Sequence, residues 1–299
     1  MADQPKYLIT GASGKLGRLV LDLLLGEYGV VPSQVIAATR KPESLADYAA
    51  RGVAVRAADF DHQDSLKSAF AGATRLLLVS TDAVAVPGQR LQQQRNAVAA
   101  AQAVGVKHVA YTSMTQPDPA SPIPFAPDHV GTEQALLDSG LGYTFLRNHW
   151  YFENLFGKLP QVLATGKWFT SAGEGRLADV SRVDTAHAAV AALLGKDGGG
   201  SHAYDIGGPE ALTTREVAAL VSDVTGKPLE VVQVTREAQT EALKAAGLPG
   251  FVVDIVVGFD QNTLQGRAAN VSGDFQKLTG RAPQRLRDFL AANKDKLAG

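Results

Sequence analysis

Three glycines stand at a spacing that can do chemistry: Gly11-Ala12-Ser13-Gly14-Lys15-Leu16-Gly17, a G-x-x-G-x-x-G run. It follows a short apolar segment, residues 7–10. It opens a stretch whose Leu16, Leu19, Val20, Leu23 and Leu24 fall on one face of a helix. A tight strand-to-helix turn needs the backbone freedom of Gly11. Gly14 leaves room for a diphosphate against the main chain, and the helix N-terminus offers that anion free N–H groups and a positive dipole end. Gly17 lets the helix pack close to the strand, and Ser13 adds a hydroxyl donor. The simpler alternative is a turn whose glycines serve packing alone; the strand–turn–helix context weighs against it. Gly11 to Gly17 is therefore a candidate dinucleotide cradle.

The end of the second expected strand selects the dinucleotide. It reads Ala37-Ala38-Thr39-Arg40-Lys41, with no carboxylate before Glu43. A carboxylate there would bind a ribose 2′-hydroxyl, whereas a guanidinium can grip a 2′-phosphate and stack on adenine. Arg40 therefore favours NADP(H) over NAD(H), against the alternative that Arg40 and Lys41 are a solvated loop. Asp59-Phe60, after the third strand, can touch adenine or start a helix. Ser80-Thr81-Asp82-Ala83-Val84 leaves the fourth strand at the same edge, where the dinucleotide should cross.

A proton relay is harder to find. None of the seven tyrosines is followed four positions later by lysine, so the Tyr-x-x-x-Lys acid–base pair is absent. Where it would fall stand His129 and Glu133, one helical turn apart. They read equally well as a histidine oriented by a carboxylate or as a surface ion pair. Ser113 follows the fifth strand at a candidate pocket position. Without a strong relay, the chemistry that remains easy is hydride transfer to an electron-poor acceptor such as a quinone, whose ring stabilises the oxyanion. The sixth strand feeds Arg147-Asn148-His149-Trp150-Tyr151-Phe152-Glu153-Asn154. Its aromatics can form a flat slot for a ring or pack a lobe junction, and both are expected in part. No H-E-x-x-H spacing occurs, so no metal site is expected.

The elements that must position these residues follow from pattern and composition. The chain has 299 residues, 45% hydrophobic and 20% charged, with a formal net charge of −1. That suffices for a sizeable core and lacks the basic excess of a nucleic-acid binder. The absence of cysteine excludes disulfides, thiolate metal sites and cysteine nucleophiles. No apolar run reaches membrane-spanning length, and polar residues 1–6 lead straight into a strand, so a soluble cytoplasmic protein without a secretory signal is expected. Strand-like segments (7–10, 35–39, 53–57, 76–80, 108–112, 143–146) alternate with helical ones. That is an α/β, Rossmann-type, doubly wound parallel sheet. After Arg147 the rhythm changes: 148–182 looks irregular, 203–206 reads as a seventh strand, and a smaller, intertwined C-terminal α+β lobe follows. The expected division is a coenzyme domain over 1–150, with 184–207 returning to it, and a substrate lobe over 151–299. Asp61 and Asp184 are expected helix caps, and Thr213 with Glu216 a capping box.

The segments GASGKLG, ATRKPESL, VKHVAYTSM, LLDSGLGYTFLRNHWYFEN and YDIGGPEALTTREVA together resemble the NmrA-like group of atypical short-chain dehydrogenases/reductases. The resemblance covers nearly the whole chain. It implies an NADPH-dependent, flavin-free reductase of quinone-like acceptors, or alternatively a non-catalytic NADP(H) sensor. It implies that Gly11 to Leu16 hold the diphosphate and that Arg40 takes the 2′-phosphate. Asp82, Ala83 and Val84 would line the ribose and nicotinamide end, with Asn148, Trp150, Tyr151 and Glu153. Ser113 and His129 are then candidate donors to the acceptor oxygen, and Asn148 a candidate for orienting nicotinamide or substrate. The expected partner is a small quinone-like molecule, with neither nucleic acid nor membrane, and a homodimer is the assembly to test. His149 departs from the group, which often carries glycine there, and is expected to narrow the slot. A proline-rich stretch, 116–127, is expected to reshape the entrance.

Overall fold

A computed structural model describes residues 4–297; the start of the polar 1–6 stretch and the last two residues of the C-terminal lobe lie outside them. The strands are β1 (Tyr7–Ile9), β2 (Val35–Thr39), β3 (Ala54–Ala57), β4 (Arg75–Leu78), β5 (His108–Met114), β6 (Gly142–Asn148), β7 (Lys167–Thr170), β8 (Arg176–Leu177), β9 (His202–Ile206), β10 (Leu212–Thr213) and β11 (Glu230–Gln233). The helices are α1 (Lys15–Leu25), α2 (Ala46–Ala50), α3 (Gln63–Phe70), α4 (Gln89–Ala103), α5 (Ala126–Asp138), α6 (Leu155–Thr165), α7 (Arg182–Leu193), α8 (Thr214–Thr225), α9 (Arg236–Ala245), α10 (Gly250–Leu264), α11 (Asp274–Thr279), α12 (Leu286–Ala292) and α13 (Lys294–Leu297).

Seven strands form one parallel sheet in the order β3-β2-β1-β4-β5-β6-β9. All of β2 and β5 is buried, as interior strands covered on both faces must be. On one face α1 lays Leu16, Val20, Leu21 and Leu24 against the alanines of α7 and against Phe275 of α11. Every residue of α7 from Asp184 to Leu193 is buried, and its small side chains let it sit between sheet and α1. On the other face Leu66 and Phe70 of α3, Ala97 and Ala101 of α4, and Leu136 of α5 close the second core layer. The Rossmann-type doubly wound fold expected from the alternation is therefore present, with β9 returning as the seventh strand.

The remaining elements build a smaller lobe around Leu159, Trp168, Val221, Phe289 and Leu290, with β7–β11 parallel and β8–β10 antiparallel. Three local expectations differ from the structure. Segment 148–182 is not irregular: it holds α6, β7 and β8. Gly157 and Pro160 disfavour a helix locally, but burying Leu159, Val162 and Leu163 overrides propensity. Asp61 does not cap α3, whose N-cap is His62 without a side-chain bond; instead Asp61 Oδ1 accepts from Gln93 Nε2 at 3.0 Å. Ser181, not Asp184, caps α7: its Oγ accepts from the Asp184 amide at 3.0 Å, and Asp184 accepts from the Gln284 amide at 2.8 Å. The Thr213–Glu216 capping box is formed as the pattern predicts.

Candidate coenzyme and acceptor site

The glycine turn is built by close approach. Gly11 takes φ +57°, which favours a residue without Cβ. Gly14 is the N-cap of α1 with no side-chain cap, so the first amides of α1 lack side-chain acceptors. A Cβ on Gly17 would fall 2.4 Å from Gly11 O and 2.7 Å from Ala12 Cα, backbone atoms that cannot yield. Gly17, Ala12 and Leu16 thus shape the turn from behind: Ala12 and Leu16 are core residues, and the Ala12 amide donates to Ala38 O at 3.1 Å. Lys15 is exposed at the helix start. Ser13 Oγ and Thr39 Oγ1, 2.7 Å apart, join the turn to β2.

Strand order reverses between β1 and β4, the position at which doubly wound sheets hold ligands. A cleft of about 490 Å³ lies there, over the C-terminal ends of β1 to β4. Gly11, Ser13, Gly14, Arg40, Asp82 and Ala83 line it together, and Phe60 joins them. Val84 does not; its amide turns back to Asp82 O at 2.8 Å. Among the described residues Arg40 is the sole cation of this lining, facing Asp59, Asp61 and Asp82. Arg40 Nη2 stands 3.8 Å from Asp82 Oδ1 across the opening, with both side chains exposed, so the contact binds weakly. Thr81 Oγ1 and Gln93 Oε1 line the same cleft, buried and, among the described residues, without a partner. Sequence reasoning passed over Gln93, because nothing marks a helix glutamine until α4 is packed beside the β4 loop.

Further along the sheet, β5 and β6 each run two residues past their expected C-terminal ends, pairing Ser113 with Arg147 and Met114 with Asn148. Among the described residues Asn148 Oδ1 is buried there without a hydrogen-bond partner. A buried amide oxygen left open is costly unless a ligand or water supplies a donor. Immediately beyond, Trp150 and Tyr151 wall a second cleft of about 260 Å³, which Trp168, Val217, Ile255 and Phe259 make apolar. Trp150 and Phe259 lie 3.9 Å apart between ring centroids. Phe152 is outside it, packed on Phe289 at 5.3 Å, so the aromatic run divides between slot and core. Burial pushes the Tyr151 phenol up to about 12.

Several expected site residues are engaged elsewhere. Both carboxylate oxygens of Glu153 accept from the Arg182 amide, at 3.1 and 3.0 Å, and fasten the start of α7. His129 and Glu133 share a helix face but do not meet. Glu133 accepts from Ser113 Oγ at 2.7 Å and from Arg147 Nε and Nη2 at 3.0 and 2.7 Å. His129 Nε2 accepts from Arg90 Nη2 at 3.0 Å, which leaves Nδ1–H to face Tyr111 Oη at 2.9 Å. Burial, then the Arg90 charge, hold this imidazole well below its ordinary value, so it is neutral. Ser113, His129 and Asn148 line neither cleft; Ser113 and His129 are moreover engaged with Glu133 and with Arg90 and Tyr111, which corrects their expected role as donors to an acceptor, whereas Asn148 Oδ1 stays open. His149 does not narrow the slot: its Nε2 lies 3.1 Å from Asp205 Oδ1, and the ring fills space beside Gly207, where a Cβ would come within 3.0 Å of it. The proline-rich stretch packs on α10, where a Cβ on Gly258 would meet Pro122 O at 2.6 Å.

The family described as NAD(P)H-binding matches residues 11–196. The chain belongs to that family. It is 37% identical over 283 residues to quinone oxidoreductase 2 of Escherichia coli strain K12, covering 95% of this chain and 96% of that one. The structure of an NADPH-dependent quinone oxidoreductase from Escherichia coli, complexed with NADPH, superposes with TM-score 0.89 at 36% identity, covering 96% of this chain and 99% of that one. Citrobacter triphenylmethane reductase complexed with NADP(H) gives TM-score 0.88 at 33% identity, covering 97% and 100%. The NAD(P)H-binding assignment fits the residues present. The N-terminus of α1, which no side chain caps, suits a diphosphate; the open atoms Thr81 Oγ1 and Gln93 Oε1 stand in the cleft beside the glycine turn, and Asn148 Oδ1 lies buried at the end of β6. No described helix is long and apolar enough to cross a membrane.

Proposed function

We propose that this protein is an NADPH-dependent reductase of quinones and similar electron-poor aromatic small molecules. Bound NADPH would supply the hydride. The α1 amides and Gly14 hold the diphosphate, Arg40 receives the 2′-phosphate, and Asn148 Oδ1 accepts from the nicotinamide carboxamide. Residues 1–150 with 184–207 carry this half of the work, and 151–299 supply most of the acceptor's walls. A flat ring lies against Trp150, Tyr151 and Phe259, where apolar surface displaces water from the transfer path. The observation that carries this reading is the direct succession, at the end of β6, of an open buried amide oxygen and an aromatic cleft. Such a succession aims a nicotinamide at a ring and needs no Tyr–Lys pair. Mixing the protein with NADPH and a panel of benzoquinones, and following loss of the coenzyme's near-ultraviolet absorbance, tests it. Absence of turnover with every quinone and dye overturns it.

A further inference from the structure

Reduction of a quinone consumes a proton besides the hydride, and the residues expected to give it do not reach the acceptor cleft. Three ionisable side chains other than Tyr151 stand in the cleft wall: Lys158 of α6, Asp260 of α10 and Asp179 between β8 and α7. Asp260 is committed, its Oδ2 accepting from Thr170 Oγ1 at 2.8 Å, the Ser171 amide at 2.8 Å and Gln239 Nε2 at 2.7 Å. Three donors converge on that one oxygen and tie it to β7 and α9. Lys158 lays its ammonium over the Trp168 ring, 4.6 Å from the centroid.

Asp179 differs from both. Its Oδ1 is enclosed and, among the described residues, has no hydrogen-bond partner. Its backbone is clamped. Ala178 N donates to Ala268 O at 2.8 Å, Val180 N donates to Trp150 O at 2.9 Å, and a Cβ on Gly208 would strike Asp179 O at 2.1 Å. The backbone that carries this carboxyl is therefore fixed beside the aromatic residues that would face the acceptor.

Resting on the functional reading above, we propose that Asp179, as a carboxylic acid, protonates the oxygen of the acceptor seated in the aromatic cleft. Hydride from NADPH brings two electrons to the quinone and leaves NADP⁺. The O–H bond of Asp179 breaks as the O–H bond of the quinol forms, and the resulting carboxylate regains a proton from solvent. Burial alone raises this carboxyl to about 7, so its acid form is populated at neutral pH.

The test is Asp179→Asn, which keeps shape and removes the acid. A general acid matters most when the product oxyanion is basic. Turnover with methylated benzoquinones should fall about tenfold or more, and with halogenated benzoquinones less than about threefold. Wild-type turnover of methylated quinones should decline as pH rises through about 7, and the Asn variant should lack that step. NADPH affinity, read by fluorescence, should be unchanged and shows that the variant is folded. An equal effect across the quinone series, or none, overturns the proposal. Should the variant fail to bind NADPH, the wild-type profile decides: a flat profile through neutrality overturns it. Absence of wild-type turnover with any quinone instead overturns the functional reading and this proposal with it.

Discussion

Replacing Arg40 by aspartate should convert an NADPH site into one that no longer prefers NADPH. The lining around Arg40 holds three aspartates and, among the described residues, this one cation, so the exchange takes it from two net negative charges to four. Arg40 has little to lose in the free protein: its contact with Asp82 is 3.8 Å long and open to water, worth well under about 1 kcal/mol. A charge-assisted hydrogen bond to phosphate is worth about 1.5–3 kcal/mol, and the lower figure applies to a side chain 70% exposed. A carboxylate placed about 4 Å from a phosphate dianion in water-like surroundings adds about 1 kcal/mol of repulsion per charge. Together these approach 3 kcal/mol, a rise of about a hundredfold in the NADPH dissociation constant. NADH lacks the phosphate, and its ribose hydroxyl can donate to the new carboxylate, so its affinity should move less than about threefold. Calorimetric titration of both coenzymes at low and moderate salt measures this, and the loss for NADPH should shrink as salt screens the repulsion. Equal losses for the two coenzymes would refute the assignment of Arg40 to the 2′-phosphate.

Three further outcomes are expected. Gly17→Ala drives a methyl into Gly11 O and Ala12 Cα, so thermal unfolding should show a loss of about 1–3 kcal/mol or more, with weakened NADPH binding, as α1 is pushed off the turn. Glu133→Ala strands Arg147 and Ser113, and denaturant unfolding should report a loss of about 3 kcal/mol, much larger than Ser113→Ala alone. The Asp179 carboxyl is raised in the folded chain from 3.8 to about 7. The stability linked to its protonation is therefore fully present below the lower value and lost as pH rises through the upper one, at most about 4 kcal/mol. Denaturation midpoints of Asp179→Asn and wild type should accordingly converge in acid and diverge in favour of the variant above neutrality.

The glycine turn, α1, the parallel strand series and Arg40 were legible because each depends on neighbours in sequence. A turn's dihedral needs, a helix face and an alternating chain of strands are local geometry, and the doubly wound order follows from connection rules once the alternation is seen. The capping box at Thr213 was legible for the same reason. Helix α6 was not: Gly157 and Pro160 argue against it locally, and only the partners of Leu159 and Leu163 in the second lobe repay its formation.

Residues 129 and 133 mark the boundary most clearly. Their spacing determined that they share a face of α5, and they do. Which groups they touch depended on Arg90 from α4, Tyr111 and Ser113 from β5 and Arg147 from β6, all brought there by packing. The aromatic cleft lies mostly on the far side of that boundary: Trp150 and Tyr151 were legible as a slot, but Lys158, Trp168, Asp179 and Phe259 come from four other segments. The chain by itself set the dinucleotide turn, the sheet and the charge at the end of β2, because backbone geometry and periodicity act over a few residues. The tertiary structure alone decided which polar groups are satisfied and which carboxyl stands open in an apolar wall, because burial and hydrogen bonding are properties of what packs together.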